Sequence, residues 1–396
     1  MAGRTITVSN AAELGRAVAA SRDGGTILLH PGNYGSYVFK SFNPTATVTF
    51  KSAVPDRDAV FSELKFNASS NMIFNDIDIR HPLNGAASST GALTVNGSSR
   101  ISFVGLDLTG SLDGNSWNDG RGILISGGDR ISVLDSTFQQ FNAAMIIRNA
   151  KDVIVAGNTI TEVNEGVQVG GVQGGLFERN YIHGMTPNYA RGEHPDAFQV
   201  YSTGVGASSD LAYRNNVIVA TNGPVGGIFI RSEQAKAGIE HSNISIENNY
   251  YMGTYRHGIS VSDTNGVVIT GNTVLDSAKA GNSAAIMVTN VDGARIAGNI
   301  APMFINTAST HVTSTNNIDV WESKTKLGVA VAALFAPVAA GNIDFGALNP
   351  LGSSVATNTG AGFRNVAGIG NLSGSGDAIV SNYMQMFEHS FATHLV

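Results

Sequence analysis

ISVLDSTF (131–138), VIVAGNTI (153–160), LFERNYIH (176–183), LAYRNNVI (211–218), ISIENNYY (244–251), VVITGNTV (267–274) and ARIAGNIA (294–301) are seven versions of one phrase. Most are a short alternating strand, a polar corner carrying Asn, and a second apolar pair. The asparagines at 158, 180, 216, 249, 272 and 299 are separated by 22, 36, 33, 23 and 27 residues. A base period of 22–23 with insertions fits a coil of three short strands and three turns, whereas propeller blades need roughly 40–50 residues. Asn tolerates left-handed turn conformations and can stack its amide along a ladder, so these residues read as corner pieces.

Composition agrees. Charged residues make up 14% of 396 and Gly supplies 47 positions, too little charge and too much Gly for helical bundles. Gly, Asn, Ser and Thr mixed with Val and Ile suit short strands and tight turns. The hydrophobic fraction of 42% supports a long core. With net charge −6 and no Lys/Arg run, neither nucleic acid nor membrane is expected as a partner. The absence of Cys excludes disulfides and thiolate chemistry. MAGRTITVSN lacks the apolar stretch of an export signal. The expectation is an extracellular or cell-surface protein whose signal sequence is not part of this chain.

The ends complete the plan. Ser9-Asn10 followed by AAELGRAVAA (11–20) predicts a helix that caps the open end of the core. TILLHPGNY (26–34) reads as an opening strand, and the rhythm weakens beyond Asn317. LGVAVAALFAPV (327–338) and AIVSNYMQMFEHSFATHLV (378–396) predict C-terminal helices. The expected organisation is strand and capping helix over 1–24, parallel β-helix over 25–365, and tail over 366–396.

The N-terminal helix, DGGTILLHPGNYG (23–35) and the GN/NN-punctuated coils resemble the pectate-lyase-like superfamily. That resemblance spans about residues 5–365 and implies an all-β, single-stranded, right-handed parallel β-helix. The superfamily holds polysaccharide lyases, glycoside hydrolases, uronan epimerases and phage tailspikes. The opening segment is most similar to alginate and chondroitin lyases. Their Lys-and-Arg catalytic pattern has no matching position here, and HPD (194–196) does not supply the Asp-Pro-His motif of mannuronan epimerases.

Stacking the repeats locates a candidate site, because residues one coil apart become neighbours at about 4.8 Å. GILIS (122–126), AMIIR (144–148), GVQVG (166–170), AFQVY (197–201), GIFIR (227–231), GISVS (258–262) and AIMVT (285–289) align. Second and fourth positions are apolar and point inward. Outward positions gather Arg148, Tyr201, Arg231, Gln168 and Gln199, with Arg121, Glu165, Asp196 and His257 just before the strands. Two insertions, MTPNYARGEHP (185–195) and SEQAKAGIEHS (232–242), flank this row and are natural walls of a binding groove.

A groove along stacked coils suits a linear acidic polysaccharide. The leading expectation is a lyase that cleaves a uronic-acid-containing glycan by β-elimination. Arg148 and Arg231 would stabilise the carboxylate as the C5 proton leaves, His194 or His257 would take that proton, and Tyr201 would protonate the leaving oxygen. Asp196 would orient a His or bind sugar. Glu165, Gln168, Gln199, Glu193, Tyr255, Arg256, Arg121, Asp119 and Trp117 complete the substrate-binding set. The alternatives are a hydrolase using two of Asp196, Glu165, Glu193 and Asp119, a uronan epimerase, or a tailspike-like module that only grips glycan. No metal ligand is assigned. Calcium is the one cofactor left open, since DGNSWNDG (113–120) is oxygen-rich without a full calcium motif.

Overall fold

The computed structural model describes residues 4–54, 59–83, 89–189, 195–220, 222–277, 284–321, 329–336, 343–376, 378–383 and 385. It divides into two compact units. The first holds residues 1–167, 172–175 and 370–396, and the second 168–171 and 176–369. Each is a stack of parallel-strand coils, the architecture expected from the repeat.

One coil of the first unit shows the construction. The strand Arg121–Leu134 turns at Gly127 and Gly128, both at positive φ, and the short strand Thr137–Gln139 follows. Its neighbours are in strict parallel register, Ile123 beside Leu93 on one side and Met145 on the other. Because side chains alternate along each strand, this register stacks Ile123, Ile125, Met145 and Ile147 inside, all essentially inaccessible. Toward the N-terminus the core is aromatic. Phe39 stacks on Phe66 at 5.0 Å and Phe50 on Phe74 at 4.5 Å, with interplanar angles of 2° and 3°. The helix Ala11–Ala20 lies against the first strands and buries Leu14, Ala17 and Val18. Asn10 caps it by accepting from the Glu13 N–H at 2.9 Å, and Glu13 returns a carboxylate to the Ser9 N–H at 2.8 Å.

The second unit repeats the pattern with Phe198, Ile228, Ile259 and Ile286 in one inward column. Its corner is an unbroken amide ladder. Asn180, Asn216, Asn249 and Asn272 each donate both a backbone N–H and a side-chain N–H to the Oδ1 of the next asparagine, at 2.8–3.0 Å. Asn299 does the same to Asn317. The side-chain N–H groups also reach carbonyls, as from Asn249 to Tyr213 at 2.9 Å.

The structure divides the corner role between two residues. The left-handed conformation belongs to the residue before each ladder asparagine: Gly157, Arg179, Asn215, Asn248, Gly271 and Gly298. The asparagine itself supplies the ladder, which explains why the pairs read GN or NN, with Arg179-Asn180 as the one exception among them.

C-terminal to the coils, residues 331–334 are helical and Val329–Ala330 is a short strand, a smaller element than the sequence suggests; 327, 328, 337 and 338 lie outside the described residues. Leu334, Phe335 and Leu348 join Ile318 and Val320 in a buried cluster. The following segment runs back across the second unit against the order of its coils. The Gly362 N–H donates to the Gly298 carbonyl, that of Phe363 to Thr273 Oγ1, and that of Arg364 to Asn248 Oδ1. Within the first unit, the Leu372 N–H donates to Asp135 Oδ1 at 2.5 Å, and Gly370 accepts from Thr159 Oγ1 at 3.0 Å. Residues 378–383 are helical, and 386–396 lie outside the described residues.

Candidate functional site

Three consecutive strands of the second unit, Asp196–Tyr201, Gly226–Arg231 and the first half of His257–Thr270, present their alternate residues outward. Register places Asp196 beside Gly226, Gln199 beside Phe229 and Ser260, and Arg231 beside Ser262. The outward rows therefore combine an amide, aromatic rings and a cation on adjacent coils, with the buried Asp196 carboxyl at the head of the first strand.

Asp196 is the least ordinary member, being 3% exposed. Burial pushes its carboxyl well above the ordinary carboxylate range, because the charged form loses its hydration. Gly226 makes room for it. A Cβ at 226 would lie 1.9 Å from Asp196 Oδ1, closer than any two such atoms can approach. Gln199 Nε2 lies 3.5 Å from Asp196 Oδ2.

His257 packs in an aromatic setting. Its ring stacks on Phe229 at 5.1 Å between centroids and meets Tyr255 edge-on at 4.8 Å. Tyr201 lies back over Gly170, where a Cβ would come 3.0 Å from the phenol ring. Arg231 and Arg256 are exposed, and Gln168 is half-buried.

The remaining predicted residues lie in the first unit or outside the described residues. Arg148 is exposed beside Ser126 in register, Arg121 is half-buried between Gly91 and Ala143, and Glu165 is half-buried. His194 and Glu193 lie outside the described residues. Asp119 is 1% exposed and holds its own loop. It accepts from the Ser111 N–H at 2.9 Å, from Ser111 Oγ, and from Gln140 Nε2 at 3.1 Å. Gln140 also donates to Asp113 at 2.9 Å, and Asn142 holds the Trp117 carbonyl at 3.1 Å. The oxygen-rich look of 113–120 thus has a structural use in closing the loop. Among the described residues no group of three or more His, Asp or Glu is arranged to hold a metal ion.

Sequence reasoning passed over two contributors. Phe229 was read as one more strand residue, although it is the ring on which His257 rests. His241 was not singled out, yet it is completely buried. Its Nδ1 accepts from the Ser208 N–H at 2.9 Å, so the other nitrogen carries the proton and donates to the Arg231 carbonyl at 3.0 Å. Burial lowers its pKa from the usual histidine value. The available signal for the site was the pair Gly226-Gly227, one coil after Asp196.

A family model for the right-handed β-helix region matches residues 64–273, more than half of the chain, and the chain belongs to that family. No curated protein matches its sequence. Among solved structures, the PL6 family alginate lyase AlyGC aligns at TM-score 0.51 and 12% identity, over 93% of this chain and 58% of that one. DFA-IIIase from Arthrobacter chlorophenolicus A6, in complex with GF2, aligns at TM-score 0.48 and 12% identity, over 84% and 94%. PfbA, a surface adhesin of Streptococcus pneumoniae, aligns at TM-score 0.47 and 10% identity, over 78% and 86%. At such identities the likeness is one of fold.

Proposed function

We propose that the outward face carrying Asp196, Tyr201, Arg231 and His257 binds a uronic-acid-containing polysaccharide and cleaves it by β-elimination. The observation that carries this reading is Asp196, a carboxyl whose pKa burial raises, on the strand rows that bear His257 and Arg231. A carboxyl whose pKa is raised can share a proton with a sugar carboxylate, and Arg256, next to His257, adds positive charge. Both effects stabilise the charge that builds up as C5 loses its proton. His257 takes that proton, the C5 electron pair forms the C4–C5 double bond, the C4–oxygen bond breaks, and Tyr255, whose ring meets His257 at 4.8 Å, protonates the departing oxygen. Tyr201 and Arg231, five strand residues or ~16 Å along, hold sugars further down the chain. Phe229 and Tyr255 give sugar rings an apolar surface. Such a polymer lies outside cells, which agrees with an extracellular or cell-surface location.

Hydrolysis is the second reading, and the raised pKa of Asp196 favours it, since a glycosidase acid must hold its proton at neutral pH. Its partner carboxylate would be Glu165 or Glu193. The test incubates the protein with acidic and neutral polysaccharides, following ultraviolet absorbance and reducing ends together. Rising absorbance with reducing ends supports the lyase, because unsaturated uronate ends absorb. Reducing ends alone point to hydrolysis, and silence in both with retained binding makes the face a glycan grip.

A further inference from the structure

We infer a second, non-catalytic sugar site on a different face of the second unit, one that takes a single uronate-bearing sugar unit. A groove of about 360 Å³ lies there, lined by Glu247, Thr270, Arg295, Ala297, Asn316 and Gly360 among others. It is large enough for one or two sugar rings by the usual scale of small-ligand pockets.

The coil register explains why the groove exists. Glu247, Thr270 and Ala297 occupy one outward column on three consecutive coils, so the side chains shrink along the stack. Beside them run the corner residues Gly271 and Gly298, both in the left-handed conformation and both without side chains. The returning C-terminal segment closes one side with Thr359 and Gly360.

The lining residues differ in what they have left to offer. Asn248 is fully engaged. Its Oδ1 accepts from the Arg364 N–H, and its Nδ2 donates to Asn215 and to the Arg364 carbonyl. Thr359 Oγ1 donates to the Val355 carbonyl. By contrast, among the described residues the Arg295 guanidinium and the side chains of Thr270 and Asn316 make no hydrogen bond or ion pair. Glu247 receives only Ser245 Oγ, on one of its two oxygens. The groove thus offers an open fork of donors, a free carboxylate oxygen, a hydroxyl and an amide.

That set is complementary to a sugar bearing one carboxylate and adjacent hydroxyls. Arg295 takes the carboxylate in a two-point contact, and the Glu247 oxygen and Asn316 take hydroxyls. The site deepens the uronan reading, because it would hold the polymer while the Asp196 face acts on it. Its test is nevertheless a binding measurement that needs no turnover.

The experiment titrates the intact chain calorimetrically with galacturonate, glucuronate and mannuronate disaccharides, and with cellobiose as the uncharged control. The expected result is a binding event with at least one uronate disaccharide that weakens about tenfold or more in Arg295→Ala, the loss of a bidentate charge-assisted contact. Ala297→Trp fills the groove and abolishes the event. Thermal melts verify that both fold. Equal uronate affinity in wild type and Arg295→Ala, or no uronate binding by the wild type, overturns the site. Turnover lost in Asp196 or His257 variants with this binding intact concerns only the other face.

Discussion

In the first unit coil corners are held by serine hydroxyls and, at its last corner, by Asn158, which accepts from the Ser136 N–H at 3.0 Å, whereas the second unit carries an unbroken run of asparagine amides. The Phe42 N–H donates to Ser69 Oγ, that of Ser69 to Ser98 Oγ, and that of Leu106 to Ser136 Oγ, all at 3.0–3.1 Å. Each serine accepts one backbone donor and returns its proton to a carbonyl two residues earlier in its own strand, as Ser136 does to Leu134. An asparagine of the second unit instead accepts two donors from one neighbour and donates onward to the next. The serine corner is local and the asparagine corner is continuous. Continuity matters where coils are uneven: successive ladder asparagines are separated by 36, 33, 23, 27 and 18 residues. A rung that fixes its neighbours keeps register while the coil beside it swells, and the two longest coils carry Asp196 and Arg231.

The largest expected effect concerns chemistry. Asp196→Asn preserves shape but removes the ionisable proton, and polysaccharide turnover falls by roughly 10²–10⁴-fold. Its effect on stability has the opposite sign. A carboxyl whose folded pKa is raised opposes folding once pH exceeds the unfolded value, so the variant melts higher at neutral pH and loses that advantage in acid. Equal melting points at neutral pH would show that burial does not raise the Asp196 pKa.

Asn249→Ala should be the most damaging ladder change. It leaves the backbone and amide donors of Asn216 without an acceptor, for a loss of about 2–5 kcal/mol in denaturant titration. Ser136→Ala removes the acceptor of one buried N–H in the first unit, a loss of about 1–2 kcal/mol. If the serine change proved the more costly, the distinction between local and continuous corners would fail. Gly226→Ala should cost about 1–3 kcal/mol by overpacking against Asp196, with turnover falling further than stability accounts for.

The smallest effect is a pH dependence. His241 is buried neutral with a lowered pKa, so its contribution is complete above about pH 6.5, where the unfolded histidine is also neutral. Below that the unfolded chain binds the proton first, and stability falls until the folded pKa is reached. His241→Asn retains an acceptor for the Ser208 N–H and should flatten this limb of a melting-temperature profile.

The repeat was legible because burial dictates it. The repeating pentads fall in the observed register within each unit, Ile123 with Met145 and Phe198 with Ile228, Ile259 and Ile286. The corner asparagines were legible as corners, but the division of labour with the preceding residue was not, since both members of an NN pair look alike. The candidate site was legible only as columns. Which polar side chains are buried depends on space left by other coils, as Gly226 leaves it for Asp196, and Asp119 is turned inward by Ser111 and Gln140 some distance away in sequence. Serine corners escaped notice because Ser is common on every turn.

The returning C-terminal segment has a consequence for the order of folding. Neighbouring rungs lie a few tens of residues apart, but Arg364 meets Asn248 across 116 residues and Leu372 meets Asp135 across 237. Closure entropy grows only as the logarithm of that distance, yet the partners must already exist as a surface. During synthesis the coils emerge before the segment that fastens over them. Its docking is therefore a completion step: a chain shortened before residue 360 should still pair its strands, but would do so without this clasp and unfold faster.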